Sequence, residues 1–147
     1  QDLIPFIERV RALGYRVKLD TNGMKPNVLQ QLLLRELVDY VAMDIKASPE
    51  QYDAVTRVHC DLEAVRRSIY LLQHSGVAHE FRTTFAPELS TEDILGAAML
   101  VQGAQRYFLQ QYRPRKDEDL PAHPPSYVQE TAARVREAIG MCEVRGL

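Results

Sequence analysis

The sequence is poor in cysteine, lacks tryptophan and contains no long apolar run. Only two cysteines occur in 147 residues, Cys60 and Cys142, and they form no CxxC pair, which argues against a disulfide framework. No apolar run approaches the roughly 20 residues that span a bilayer, and no charged-then-apolar leader opens the chain. We therefore expect a cytoplasmic protein with free thiols and no membrane partner.

An excess of positive charge is also absent. Lysine and arginine number 18 against 20 acidic residues, and the isoelectric point is near 6.1, which argues against a nucleic-acid partner. The four histidines show no HxxH or HxxxH spacing, so a structural metal site is not expected. The chain also contains no GxGxxG, P-loop or GxSxG motif.

What is present is an alternation of helical and strand patterns. Helical patterns follow Asp2, Pro26, Asp61 and Ser90, and a last helix is expected to begin with a capping box formed by Ser126 and Gln129. Segment 48–60 is expected to be irregular. Strands are predicted at 15–19, 40–45, 80–85 and 107–112.

This alternation predicts a single α/β domain over 1–147 with a parallel sheet and right-handed crossovers. The pattern fits either a small open sheet or the later part of a partial barrel, and composition does not choose between them.

Polar residues follow the predicted strands, where parallel α/β sheets bind ligands. They are Asp20, Thr21 and Asn22 after the first strand, Asp44 and Lys46 at the second, Arg82 in the third and Gln110 in the fourth. Acids and cations on one rim can hold a zwitterion. The alternative is an internal network of ion pairs that ties the strands together.

The strings KLDTNG at 18–23, DYVAMDIKA at 39–47 and EFRTT at 80–84, with LQQYRP at 109–114, resemble the radical S-adenosylmethionine (SAM) activases of glycyl-radical enzymes. The similarity is strongest to activating proteins of anaerobic ribonucleoside-triphosphate reductase, with pyruvate formate-lyase activating enzymes as relatives. It implies the later units of a partial (βα)6 barrel over 1–114, followed by a proline-rich loop and a C-terminal helix over 115–147.

The resemblance also implies cofactors and residue roles. The residues that would bind SAM are Asp20, Thr21, Asn22, Asp44, Lys46, Arg82 and Gln110. Three of them, Asp20, Thr21 and Asp44, could also hold a monovalent cation. In the family, an electron from a [4Fe-4S] cluster cleaves SAM, and the resulting radical abstracts hydrogen from a glycine of the partner. The implied partners are a glycyl-radical enzyme and a reducing donor such as flavodoxin or ferredoxin.

Two family elements are absent, the CxxxCxxC cluster loop and the Gly-Gly-Glu strand end. Both are expected upstream of Gln1, so we expect catalysis from a longer parent and not from this chain by itself. Two other interpretations stay open: a Schiff-base lyase that uses Lys46, and a non-catalytic remnant that only binds a partner.

Overall fold

The computed structural model describes residues 2–114 and 120–147; residues 115–119, in the predicted proline-rich loop, lie outside the described residues. The helices and strands follow one another along the chain in the order α1 (Leu3–Ala12), β1 (Lys18–Thr21), α2 (Pro26–Leu34), β2 (Tyr40–Asp44), α3 (Tyr52–Thr56), α4 (Leu62–His74), β3 (Ala78–Phe85), α5 (Thr91–Leu100), β4 (Tyr107–Gln111), α6 (Pro125–Ile139) and β5 (Glu143–Arg145). Among the described residues, no helix combines the length and the apolar character needed to cross a bilayer.

The described residues form two compact units. Within the described residues, unit 1 comprises 2–44 and 61–79, and unit 2 comprises 45–60, 80–114 and 120–147. Each unit combines parallel strands with helices, which confirms the predicted α/β class. The expectation of a single domain over 1–147 stays a prediction.

Unit 1 is built around the parallel pair of β1 and β2, in which Lys18 lies opposite Tyr40 and Thr21 opposite Met43. Helices α2 and α4 pack against each other through buried leucine and valine side chains. Because successive strand residues point to opposite faces, Met43 faces the helices, where it meets Gly23 and lies near Ser68 of α4. Asp20 lies on the opposite, polar face.

Unit 2 contains β3, β4 and β5, joined in that order and all parallel. Phe81, Thr83 and Phe85 on β3 are buried, and the Phe85 ring lies 5.4 Å from that of Tyr127 on α6. Helix α6 also packs against α5, β4 and β5. The alternate residues Arg82 and Thr84 therefore lie on the face of the strands that α6 does not cover.

Two strand predictions needed correction. The first strand was predicted at 15–19 but runs over Lys18–Thr21, because Tyr15 and Arg16 are exposed and the Val17 amide donates to the Asp39 carboxylate instead of to a strand. As a result, Asp20 and Thr21 lie within β1. Strand β5 was not predicted, since three residues are too few to show an alternating pattern.

Two helix predictions also needed correction. Segment 48–60, predicted to be irregular, contains the short helix α3, which is too brief for a helical period to show. Helix α6 begins at Pro125 after Pro124 and has no side-chain cap, so the predicted Ser126–Gln129 capping box is wrong. The fixed φ of Pro125 suits the first helical position and moves the helix start ahead of Ser126.

Candidate functional site

In unit 1, the two predicted acidic residues lie on the same face of the strand pair. Asp20 lies opposite Ala42, and Asp44 follows two residues later at the end of β2, so both side chains point to the polar face. Lys18 contributes to the same face: its Nζ lies 3.8 Å from Asp20 Oδ1 and 5.7 Å from the centre of the Tyr40 ring. Two carboxylates at adjacent strand ends can hold an ammonium group or a cation.

The turn after β1 is closed by its own side chains. Thr21 Oγ1 accepts from the Gly23 amide at 3.1 Å, and Asn22 Oδ1 accepts from the Met24 amide at 3.1 Å. Gly23 has a φ of 74°, and Ser68 Oγ donates to its carbonyl at 2.6 Å. The hydroxyl of Thr21 and the amide of Asn22 are therefore used in shaping the turn, and Thr21 alternates away from the face that carries Asp20.

In unit 2, three further predicted residues lie near the carboxyl ends of the strands. The Ile45 amide donates to the Arg82 carbonyl at 2.9 Å, which places Lys46 next to β3. The Lys46 amide in turn lies 3.3 Å from Tyr52 Oη. Gln110 lies opposite Thr84, two residues further along than Arg82. Lys46, Arg82 and Gln110 are all half-buried, as expected of side chains that line a binding site.

The structure thus brings together Asp20 and Asp44 in unit 1, and Lys46, Arg82 and Gln110 in unit 2. That all five form one site, together with Thr21 and Asn22, stays a prediction.

A cavity of about 730 Å³ lies at the carboxyl ends of the strands in unit 2. Its lining includes Thr84 of β3, Gln110 and Gln111 of β4, and Arg145 of β5. Arg57, which follows α3, also contributes. The volume falls within the roughly 300–1,000 Å³ of small-molecule sites, and the lining includes Gln110, which was predicted to bind the cofactor.

The ion pair of Glu80 and Arg145 was missed at the sequence level. Arg145 donates to both carboxylate oxygens of Glu80, at 2.7 and 2.9 Å, and its guanidinium carbon lies 3.3 Å from the centre of the Phe108 ring. Glu80 is only 3% exposed, so this bidentate pair satisfies a buried charge. The residues are 65 positions apart, and no local pattern signals such a contact.

The side-chain amide of Gln111 also joins the cavity to the segment before α6. Its Nε2 donates to the His123 carbonyl at 2.8 Å. His123 Nε2 lies 3.2 and 3.0 Å from the carbonyl oxygens of Ala86 and Leu89. The hydrogen bond from Nε2 to the His123 carbonyl orients the Gln111 side-chain amide. The other amide atom, Gln111 Oε1, is buried and has no donor among the described residues. The repeated glutamines at 110 and 111 were the only sequence signal.

The chain does not itself fit an iron–sulfur cluster. Such clusters are held by several cysteine thiolates, whereas Cys60 and Cys142 are both buried free thiols. Burial raises the pKa of Cys142 to about 11. Among residues 2–114 and 120–147, no three histidine, cysteine or acidic side chains are grouped as a metal site. Asp20 and Asp44 in unit 1 suit the ammonium group of SAM, and Lys46 and Arg82 in unit 2 suit its carboxylate.

The chain belongs to the α/β class, because its parallel strands are joined by helices. Proteins of this class bind ligands at the carboxyl ends of the strands, where this chain carries polar side chains. The fold is similar to the crystal structure of a domain of pyruvate-formate lyase-activating enzyme from Bacteroides vulgatus. The TM-score is 0.75 over 98% of this chain and 89% of that one, with 14% sequence identity. At that identity, the similarity concerns the fold alone, and it agrees with a partial radical SAM barrel.

By sequence, the chain is 35% identical over 111 residues to a protein of Methanocaldococcus jannaschii assigned as a glycyl-radical enzyme activating enzyme. No family model matches the chain. The sequence similarity to that protein supports the radical SAM family of glycyl-radical enzyme activating enzymes, the family that the sequence motifs resemble. The match covers 72% of this chain and 46% of that relative, so the chain spans about half of the relative's length.

Proposed function

We propose that this chain forms the SAM-binding later part of an enzyme that activates a glycyl-radical enzyme, with an anaerobic ribonucleotide reductase as partner. When bound, SAM and a reduced [4Fe-4S] cluster would supply the radical that removes hydrogen from a glycine of the partner. The cluster would be held by cysteines outside these 147 residues, and flavodoxin or ferredoxin would supply the electron. The observation that carries the proposal is the 35% identity to an activating enzyme over 111 residues.

The proposed roles follow from charge and position. Asp20 and Asp44, on one face of unit 1, would hold the SAM ammonium group or a monovalent cation beside the SAM carboxylate. Thr21 would support that cation site through the turn that its hydroxyl closes. Lys46 and Arg82 would pair with that carboxylate, because charge-assisted hydrogen bonds are the strong ones.

Gln110 and Asn22 would have two further roles, one in binding adenosine and one in shaping the turn. Gln110, on the cavity wall, would contact the adenosine part of SAM, since a side-chain amide both donates and accepts. Asn22 would act by holding the turn that positions Asp20, as its hydrogen bond to Met24 indicates.

The test uses the longer, cluster-reconstituted protein that contains this chain. Asp20→Ala and Lys46→Ala should each lower the rate of SAM cleavage about tenfold or more, while the visible absorbance of the cluster is unchanged. Arg66→Ala, at an exposed position on α4, is the control and should keep full activity. Full SAM cleavage in either variant would contradict the proposed role. Loss of the cluster absorbance would show that the residue supports the cluster or the fold instead of SAM.

Two further measurements separate the alternatives. Activation assays with purified anaerobic ribonucleotide reductase and pyruvate formate-lyase test the choice of partner, and a preference for the second would refute that part of the proposal. Borohydride trapping with small ketoacids tests the lyase interpretation, for which covalent labelling of Lys46 would be required.

A further inference from the structure

Gly96 lies in the middle of α5, where glycine weakens a helix relative to alanine. Of the seven glycines, all in the described part of the chain, the other six have positive φ values between 74° and 86°. Gly96 has the ordinary backbone of an α-helix, which any residue can adopt. Its own conformation therefore gives no reason for glycine, and the reason lies in what packs against it.

Ser48 packs directly against Gly96. A Cβ added at Gly96 would lie 2.5 Å from Ser48 Cβ and 3.4 Å from Ser48 Cα, whereas carbon atoms in ordinary contact are about 3.5–4.0 Å apart. Ser48 is buried, and its Cβ is attached to the main chain, so no side-chain rotation moves that atom away. A side chain at position 96 would therefore push the two backbones apart by about 1 Å.

Helix α5 is the less movable of the two segments. It packs against α6, and Thr91 Oγ1 is hydrogen-bonded to Thr131 Oγ1 of that helix at 2.7 Å. Ile94 and Ala98 of α5 have no exposed surface. The displacement caused by a side chain at position 96 therefore falls on the segment that contains Ser48.

That segment also carries Lys46, two residues before Ser48, and hydrogen bonds tie the two residues together. The Lys46 amide donates to Tyr52 Oη at 3.3 Å. The Gln51 amide donates to the Ser48 carbonyl at 3.1 Å, and this turn brings the buried Tyr52 back toward Lys46. Because the backbone on both sides of the turn is held in this way, a shift at Ser48 is passed on to Lys46.

We propose that Gly96 and Tyr52 are positioning residues for Lys46, which place its ammonium group where it meets the carboxylate of SAM. Gly96 does so by leaving room for the backbone at Ser48, and Tyr52 does so through its hydroxyl group. The contact of Lys46 with SAM rests on the proposed function. A misplacement of about 1 Å in a group that orients a ligand can cost as much as about 100-fold in rate, so the expected effect is measurable.

The experiment measures SAM binding by equilibrium dialysis to the longer, cluster-reconstituted protein that contains this chain. The cluster is kept oxidised, so that SAM binds without being cleaved. Gly96→Ala and Lys46→Ala should each raise the Kd for SAM about tenfold, and the double variant should bind no more weakly than Lys46→Ala. Residues that act through one contact are non-additive in this way, whereas a general loss of packing would add to the effect of Lys46→Ala.

Replacements of Ser48 test the contact itself. Ser48→Gly removes the Cβ that a side chain at position 96 would meet, so Gly96→Ala/Ser48→Gly should bind SAM within about twofold of Ser48→Gly. Ser48→Ala keeps that Cβ, so Gly96→Ala/Ser48→Ala should bind about tenfold more weakly than Ser48→Ala. Met99→Ala, at an exposed position on α5, is the control and should bind as wild type does.

Tyr52→Phe is the second variant, and it keeps the test decisive if Gly96→Ala does not fold. It removes the acceptor of the Lys46 amide without adding volume. It should raise the Kd for SAM about threefold or more and should have no effect in the Lys46→Ala background.

Three outcomes would overturn the inference: wild-type binding by the Gly96 and Tyr52 variants, additive losses with Lys46→Ala, or no recovery with Ser48→Gly. The proposed function can fail separately. If Lys46→Ala weakens SAM binding but the two positioning variants do not, only the positioning inference fails. If Lys46→Ala binds SAM as wild type does, or wild type binds none, the proposed role of Lys46 fails and the positioning inference fails with it.

Discussion

Among single residues, Gly23 is constrained by both its backbone and its surroundings. Its φ of 74° is strained for any residue with a Cβ, and a Cβ there would overlap Met43 Cε. Gly23→Ala should therefore lower the free energy of unfolding by about 1–2 kcal/mol for the conformation. The overlap should add about 1 kcal/mol, the low end for overpacking, because Met43 Cε is the end of a flexible side chain. Urea denaturation measures this change.

Gly14 is the matched control, since its φ is 84° but nothing lies within 4 Å of a Cβ added there. Gly14→Ala should cost only the conformational part, about 1–2 kcal/mol. If the two variants were equally destabilised, the overlap with Met43 would make no contribution to the stability loss of Gly23→Ala.

Asp39 makes stability depend on pH. Its carboxylate accepts from the Val17 amide at 2.6 Å and from Arg11 Nη1 at 2.7 Å, and these bonds hold the pKa of Asp39 below its usual range. A carboxyl with a lowered folded-state pKa stabilises the fold above its unfolded pKa of about 3.9, and this contribution is lost as pH falls through the lower folded-state value.

Wild type should therefore be more stable than Asp39→Asn at pH 7, and the difference should shrink as the pH is lowered through 4 toward 2. Urea denaturation at several pH values measures it. Glu137→Gln, at an exposed position on α6, is the comparison and should leave the pH dependence as in wild type. A constant gap between wild type and Asp39→Asn would contradict this assignment.

Among the helices, α5 and α6 begin in different ways. Ser90 and Asp93 form a reciprocal capping box at α5, with Ser90 Oγ and the Asp93 carboxylate each bonding the other residue's amide. Helix α6 starts on proline without a side-chain cap. Ser90→Ala should lower the free energy of unfolding by about 1 kcal/mol.

Ser126→Ala removes the residue that a capping-box pattern would favour in α6. Because Ser126 caps nothing there, its replacement should change stability by less than about 0.5 kcal/mol. The two variants, compared by thermal and urea denaturation, test whether the structure places the start of α6 correctly. If Ser126→Ala lowered the free energy of unfolding as much as Ser90→Ala, the predicted Ser126–Gln129 capping box would be correct after all.

The sequence predicted most of the elements because most have a periodic pattern long enough to recognise. Helix α4 follows the cap Asp61, and its buried residues recur at helical spacing. Two elements are too short to show a period: α3 has five residues and β5 has three. Yet Arg57, which directly follows α3, and Arg145 of β5 both line the cavity. Part of the candidate site could therefore not be predicted from local sequence.

For the molecule as a whole, the thiols report on folding. Cys142 is buried, and burial raises its pKa to about 11, so almost no reactive thiolate is present at pH 8. In a Cys60→Ser variant, iodoacetamide should label Cys142 only as the chain unfolds, and rapidly in urea, where the thiol pKa returns to about 8.5. Mass spectrometry follows the reaction. Fast labelling in native buffer would mean that Cys142 is not buried as described.

The sequence by itself determined the α/β class, the family resemblance and the identity of the polar residues near the strand ends. These properties depend on local periodicity and on short strings such as KLDTNG, which the chain carries wherever it folds. Only the tertiary structure decided that Asp20 and Asp44 share a face, that Arg145 reaches Glu80, and that Arg57 and Gln111 line one cavity. Such contacts join residues far apart in the chain, and strand register and packing determine them.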